Sequence, residues 1–523
     1  MTQSLATTAP VEQEVRWRWK GFLPRSFLFS LEIWKDQTNL VEVPLPVGKL
    51  AVSPDYCWQV ASREDSFIVL IGHCIDLRAP GRKEAEVANR LLDTALQRGV
   101  DEMLSETDDF IGRYTAICCI RGAWIAFNDA GATRSTYYAE DAAIVASHST
   151  IIGEVLGQEP RRQLFRHYRF GLPGNATLVP GVRLLLANFA LDLQRRKLFR
   201  FWPRAERIER PLQELTDPVE RTWVQTADAI ASRWTPAIAL TAGLDSRVSL
   251  AAFRHIPEKV VFTYDRGEED KIEVEVATEL CRRLGIGHRR ILPVDRDKAR
   301  SIYAALEAMP DHRHIDEAPA MYLSAFPGER YINVRSNLSE IGRAVWRQRH
   351  MVSTRFDPSD WIDIVAHADR RGEPLRREAI QYLREELDRF FDLAGYDRSN
   401  PQDPQLLGYD AWDLTYWEHR MSTWHGPVML GSDFAFDTMI VFNSRRVLKL
   451  LLSAPREARI KATLYREFIA RRCSEIRDVP INPKAGRDWQ HLLPIRQAYR
   501  QVRRRITILK RVDRAIRTIA RPR

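Results

Sequence analysis

A chain of 523 residues and 60.6 kDa is too long for one ordinary domain, so two or three compact domains are expected. Hydrophobic residues at 45% and aromatic residues at 10% are enough to fill cores, which excludes wholesale disorder. The net charge of +10 belongs to the end of the chain: residues 484–523 carry 13 Lys/Arg against two Asp, or +11, leaving 10 − 11 = −1 for the 483 residues before them. The body is therefore not a basic nucleic-acid binder; only its tail is basic. No stretch reaches the ~18 uninterrupted apolar residues of a membrane-spanning helix. The opening MTQSLATTAPVEQEVRWRW lacks the apolar core of a secretion signal. Six cysteines (Cys57, Cys74, Cys118, Cys119, Cys281, Cys473) form no CxxC or Cys–His ligand spacing. A reducing, cytoplasmic location is expected.

Along the chain, the first ~200 residues read mainly as strands: SFIVLIGHCIDL, YTAICCI, AWIAFNDA and AIVASHS are short apolar runs parted by turn signals. KEAEVANRLLDTALQRGV interrupts them with apolar residues at three- and four-residue steps, and predicts a helix stopping at Gly99. FGLPGNATLVPGVRLLLANFALDL predicts a hairpin-rich closing segment. Near Phe201-Trp202-Pro203 the texture changes, and DPVERTWVQTADAIASRW predicts a long helix leading into strand–helix alternation, the pattern of a parallel α/β sheet. Residues 355–480 read as helical, LRREAIQYLREELDRFFDLAGY most plainly.

The most informative stretch is PAIALTAGLDSRVSLAAF, beginning at Pro236. Ala237–Leu240 is a short apolar strand, Thr241-Ala242-Gly243-Leu244-Asp245-Ser246 a turn of mostly small residues, and Arg247 onward has helical spacing. Turn amides and a helix start make an anion site. Asp245 would repel bare phosphate unless Mg²⁺ lay between them. The alternative is an ordinary strand–turn–helix corner capped by Asp245 or Ser246. No Walker loop and no GxGxxG occurs. The segment resembles the S-G-G-x-D-S pyrophosphate loop of the asparagine synthetase-like ATP pyrophosphatases, with Thr241 for Ser and Ala242 for the first Gly.

Further islands fit that resemblance. Val260–Tyr264 reads as the second strand, whose backbone near Thr263 would meet the adenine, and the helix after Asp270 ends in LGIGH. Ser336-Asn337-Leu338-Ser339-Glu340-Ile341-Gly342 stands where the family has a glycine-rich loop with an Asp-Glu pair; only Glu340 could join Asp245 as a metal ligand. Tyr416-Trp417-Glu418-His419-Arg420 resembles the E-x-R element, which implies that Glu418 takes a proton from the attacking amine. Lys484 matches the lysine of the closing loop, which implies oxyanion and phosphate stabilisation. His312, His314 and Asp316-Glu317 read as a polar surface loop, with the acyl pocket as the alternative.

Phe110-Ile-Gly-Arg-Tyr, Asn128-Asp129-Ala-Gly131, Tyr137-Tyr138 and Ala146-Ser147 resemble the class II glutamine amidotransferase domain of the same synthetases over about residues 60–205. That domain uses an N-terminal Cys nucleophile. This chain starts Met1-Thr2-Gln3 and its first cysteine is Cys57, so glutaminase activity is not expected.

The resemblance implies an α+β Ntn-hydrolase-like sandwich over residues 1–205. An α/β parallel-sheet ATP pyrophosphatase domain with a helical C-terminal part follows over 206–488, then a basic amphipathic tail over 489–523. It implies an ATP- and Mg²⁺-dependent carbon–nitrogen ligase in metabolite, peptide or glycan biosynthesis, which adenylates a carboxylate for attack by an amine. Its ATP site would comprise Leu240, Thr241, Ala242, Gly243, Leu244, Asp245, Ser246 and Thr263. The alternatives are a nucleotide-binding pseudo-ligase and a tRNA-modifying adenylating enzyme. No specific nucleic acid is expected; the tail suits an anionic membrane or an acidic partner, and a homodimer is compatible with the sequence.

Overall fold

The computed structural model describes residues 23–32, 39–161, 171–307, 309, 317–328, 330–349, 356, 358 and 377–483. Lys484, His312, His314, Asp316 and the whole basic tail lie outside these residues.

The apolar runs of the first half are buried on both faces because two antiparallel sheets stack and each is covered again outside. One sheet runs, in spatial order, Val182–Leu184, Tyr137–Ala139, Ile144–Ala146, Phe27–Ser30, Lys49–Val52, Val41–Val43. The other runs Lys197–Arg200, Phe189–Asp192, Ala123–Asn128, Phe110–Ile120, Ser66–Asp76, Trp58–Arg63. Strand alternation divides the side chains. Phe67, Val69 and Ile71 meet Phe27, Phe29 and Val52 between the sheets, whereas Ile68 and Leu70 face Leu91 and Leu92 of helix Glu84–Arg98. That helix stops at Gly99, whose φ of 93° suits glycine. Helix Ser149–Leu156 covers the outer face of the first sheet through Ile151 and Ile152. The layers are thus helix, sheet, sheet, helix.

The closing segment differs from the hairpin its punctuation predicts. Val182–Leu184 and Phe189–Asp192 belong to different sheets, so the chain crosses between layers there. Buried polar contacts hold the crossing: Asn128 Nδ2 donates to Leu185 O (3.1 Å) and the Ala187 amide to Ser422 Oγ (3.0 Å).

Helix Leu212–Ala231 then leads into a five-stranded parallel sheet, with Pro218 within its second turn. Spatial order is Arg289–Ile291, Val260–Tyr264, Thr235–Ala239, Tyr331–Arg335, Thr438–Ile440. The chain builds outward from Thr235–Ala239 on one side, then returns to build on the other. The two strands at that reversal, Thr235–Ala239 and Tyr331–Arg335, diverge in their connections at their carboxyl ends and leave a crevice there.

One hydrophobic core runs through both halves of the chain: Leu70 and Tyr114 belong to the same buried cluster as Trp223, Ile238 and Trp412. A buried ionic seam reinforces it. Arg113 grips Asp433, with Nη2 3.0 Å from Oδ2, and Asp437 at 2.8 Å; Arg134 adds a 2.8 Å bond to Asp433. The Asn128-Asp129-Ala-Gly131 segment also serves the seam. Asp129 accepts from the amides of Thr133 and Arg134, and Asn443 accepts from the Gly131 amide at 2.8 Å. A Cβ on Gly131 would lie 2.6 Å from a Leu338 methyl, so close approach requires glycine here.

Candidate functional site

The site is built where the two central strands end. After Ala239 the chain turns through Leu240, whose amide still donates to Phe262 O (2.8 Å), and helix Leu244–Ala252 begins with Gly243 as its N-cap. The turn is tightly self-bonded. The Thr241 amide donates to Ser246 Oγ (3.1 Å) and the Gly243 amide to Thr241 Oγ1 (3.1 Å), while the Ala242 amide donates to the Glu273 carboxylate. The loop therefore does receive an anion, supplied by the protein's own Glu273 on helix Lys271–Leu284. Buried Arg247 donates to Ala242 O (3.0 Å) and Val479 O (2.7 Å), clamping the loop to the segment that carries Ile481 and Asn482.

Across the crevice, Tyr331–Arg335 ends in Ser336, whose hydroxyl pairs with Ser249 at 2.7 Å. Leu338 takes a left-handed φ of 71° and opens the one-turn helix Ser339–Gly342. Tyr465 fixes that turn by donating to Ser339 O (2.7 Å). A cavity of about 410 Å³ lies between the two loops. Leu244 and Asp245 line it from one side, Glu340 and Arg343 from the other, and Tyr416, Arg420, Trp424, Lys461 and Arg466 close it.

Its charges are strongly coupled. Arg343 Nη2 lies 2.7 Å from Asp245 Oδ2. Burial, and then the Asp245 carboxylate, push Glu340 up to about 7 against the pull of Arg343. Burial lowers Arg420 to about 10, still protonated at neutrality, and its guanidinium stacks 4.2 Å over the Trp424 ring. Four cationic side chains against two carboxylates give the cavity lining an excess of positive charge.

The wide π-helical turn Tyr416–His425 sorts the E-x-R segment in two. Tyr416, Arg420 and Trp424 face the cavity. Glu418 does not. It is fully buried, pairs with both terminal nitrogens of Arg200 (Nη2–Oε2 2.9 Å), and accepts from Tyr396 (2.5 Å) and Asn188 (3.2 Å). The expectation that Glu418 meets the amine is corrected: its oxygens are committed to Arg200 and Asn188 of the first half of the chain and to Tyr396 of its own half.

Of the remaining expected residues, the structure brings Leu244, Asp245 and Glu340 into one cavity lining. Leu240, Thr241, Ala242, Gly243 and Ser246 form the turn behind them. Thr263 is buried and works within the sheet, its hydroxyl donating to Leu240 O (2.8 Å) and pairing with His288 Nε2 (2.9 Å). Glu317 is exposed at the start of helix Ala318–Ala325. Sequence reasoning passed over Arg343, Lys461, Arg466 and Glu273, and named Arg420 only as part of the E-x-R segment, without a role. Arg343 stands three residues after Glu340, and Arg420 four after Tyr416, both at helical steps that put them on the same face. No cluster of three or more His, Cys, Asp or Glu suited to a metal occurs among the described residues, nor any helix long and apolar enough to cross a membrane.

No known protein family matches the chain, and no curated protein does. Among solved structures, the chain is similar to one described as the allosteric regulatory enzyme of purine biosynthesis, at 11% identity and a TM-score of 0.21 over 63% of this chain and 73% of that one. It is also similar to a glutamine phosphoribosylpyrophosphate amidotransferase from B. subtilis in complex with ADP and GMP, at 11% identity and a TM-score of 0.20 over 65% and 74%. At those scores the likeness carries no argument.

Proposed function

We propose that this chain is an ATP-dependent, AMP-forming amide-bond ligase whose nucleotide lies in the 410 Å³ cavity. One observation carries the reading: a cavity rich in cationic side chains opens at the carboxyl ends of the two strands where the parallel sheet reverses its build direction, the position at which doubly wound sheets hold ligands. The strand, small-residue turn and helix start around Gly243 supply one wall of it.

An amine does not attack a carboxylate directly, because the charge repels it and oxide is a very poor leaving group. Splitting ATP between its α- and β-phosphates converts the acid to an adenylate. Arg343 and Arg420 offer planar guanidinium forks to phosphate oxygens, and Lys461 and Arg466 add charge. Asp245 and Glu340 fit Mg²⁺, since two carboxylates side by side, with Glu340 raised to about 7 by burial and then by Asp245, are a hard-oxygen donor set whose repulsion a divalent cation relieves. When bound, Mg²⁺ supplies neutralisation of the pyrophosphate charge. Lys484, two positions along the chain from the cavity residue Asn482, is our candidate for oxyanion stabilisation. Glu418 has no part in this reading.

A second reading is favoured by Glu273 on the Ala242 amide and Arg343 on Asp245: the chain fills part of its own anion and cation sites, as a nucleotide-binding protein without turnover would. ATP–[³²P]pyrophosphate exchange against a panel of carboxylates separates the two. Carboxylate-dependent label in ATP supports the ligase; saturable ATP binding with no exchange across the panel supports the second reading; no ATP binding contradicts both.

A further inference from the structure

A separate cavity of about 180 Å³, sharing no lining residue with the first, is lined by Cys57, Trp58, Gly72, His73, Glu84 and Trp234, with Arg233 beside Glu84. Cys57 is half-buried there, while the other five cysteines are buried. His73 Nδ1 lies 3.4 Å from Cys57 Sγ and 3.6 Å from Glu84 Oε1. Arg233 Nη1 holds the same Glu84 oxygen at 2.6 Å. The Trp234 ring packs edge-on against His73, centroids 4.7 Å apart. A thiol, an imidazole and an anchored carboxylate thus share one cavity wall: the imidazole is close enough to take the thiol proton, and Glu84, facing the same Nδ1, favours the resulting imidazolium by its charge.

We propose that Cys57 is a nucleophilic thiol, activated by His73 and Glu84, that takes up small two-electron electrophiles, hydrogen peroxide first among them. In that step a Cys57 Sγ–O bond forms and the peroxide O–O bond breaks. Sulfur is oxidised by two electrons to the sulfenic acid, and His73 returns the thiol proton to the departing hydroxide as water. Cys74 follows His73 in the strand but belongs to the opposite, core-facing side, and so is not placed to close a disulfide with Cys57. The small volume suits a peroxide better than a bulky disulfide.

The charged surroundings favour an imidazolium. Burial works against it, but the Cys57 sulfur and the Glu84 carboxylate outweigh burial, with Asp437 adding to them, and raise His73 to about 10. Burial pushes Glu84 up, and His73 and Arg233 together bring it below the ordinary carboxylate value. Tyr56 and Arg233 are the other titratable groups facing the pair.

The test uses the full chain and iodoacetamide at pH 6.5 and 8.5, read by peptide mass spectrometry at each cysteine. An ordinary thiol near pKa 8.5 slows about fifty-fold between these conditions. Cys57 is expected to slow less than about threefold, and His73→Gln to restore the steep fall. Hydrogen peroxide followed by dimedone is expected to mark Cys57 and to leave Cys57→Ser unmarked. A steep profile at Cys57 in the native chain overturns the proposal, and so does a shallow profile unchanged in His73→Gln. A flat profile without a dimedone adduct overturns the peroxide step. The native profile needs no variant, so it stands even if His73→Gln fails to fold.

Discussion

Glu340, half-buried, and Glu418, fully buried, are both carboxylates in motif-like segments, and their surroundings give them opposite meanings. Glu418 is saturated by Arg200, Tyr396 and Asn188, so it holds the two halves together. Replacing it with Gln leaves Arg200 buried without its charge partner and should cost about 3 kcal/mol in chemical denaturation, with ATP affinity unchanged. Glu340 is the reverse case. Its folded value of about 7 exceeds the ordinary 4.5 because burial and Asp245 disfavour its charge. The folded state therefore keeps its proton longer than the unfolded chain does. Stability associated with Glu340 is complete below about pH 4.5 and is lost as pH rises through 7. Glu340→Gln should consequently be more stable than the native chain at pH 8, by about 2 kcal/mol in thermal or chemical unfolding, with the difference vanishing near pH 4.5. Equal stability at both pH values would contradict this account of the Asp245–Glu340 pair.

At the scale of elements, the π-helical turn Tyr416–His425 does what an α-helix of the same sequence would do less well. Its wider turn, with more residues per revolution, carries Tyr416, Arg420 and Trp424 along one side while Glu418 and Ser422 engage residues 187–200 on another. Arg420→Ala should weaken ATP binding about tenfold or more by titration calorimetry, the loss expected for one charge-assisted phosphate contact. Arg420→Lys should recover only part, since lysine lacks the planar fork and stacks less well on Trp424. The strand, turn and helix around Gly243 were legible in the sequence because an apolar run, a string of small residues and helical spacing each fix one piece locally. The choice of Arg420 over Glu418 was not legible: α and π turns share the same residues, and only contact with Arg200 shows which way the carboxylate points. Glu273 was equally hidden, because its partner, the Ala242 amide, lies 31 positions away.

For the whole molecule, the texture change near Trp202 marks a change of sheet type, from antiparallel to parallel. It does not mark a break in the core, since Tyr114, Trp223 and Trp412 pack in one cluster and the ionic seam crosses the same boundary. Long-range pairing of this kind leaves no local signature. Calorimetry of the full chain should therefore show the two halves melting in a single transition. Asp433→Asn should lower its midpoint, at a cost of about 3–5 kcal/mol, because Arg113 and Arg134 lose the charge they share. Two well-separated transitions would show the halves to be independent. The central claim is that nucleotide phosphates lie between the turn at Gly243 and the turn at Glu340. Amide hydrogen exchange of the full chain, with and without Mg·ATP, tests it most directly. The account predicts slowed exchange concentrated in peptides spanning 241–246, 336–346 and 416–424; exchange unaltered in all three, with protection arising elsewhere, would contradict it.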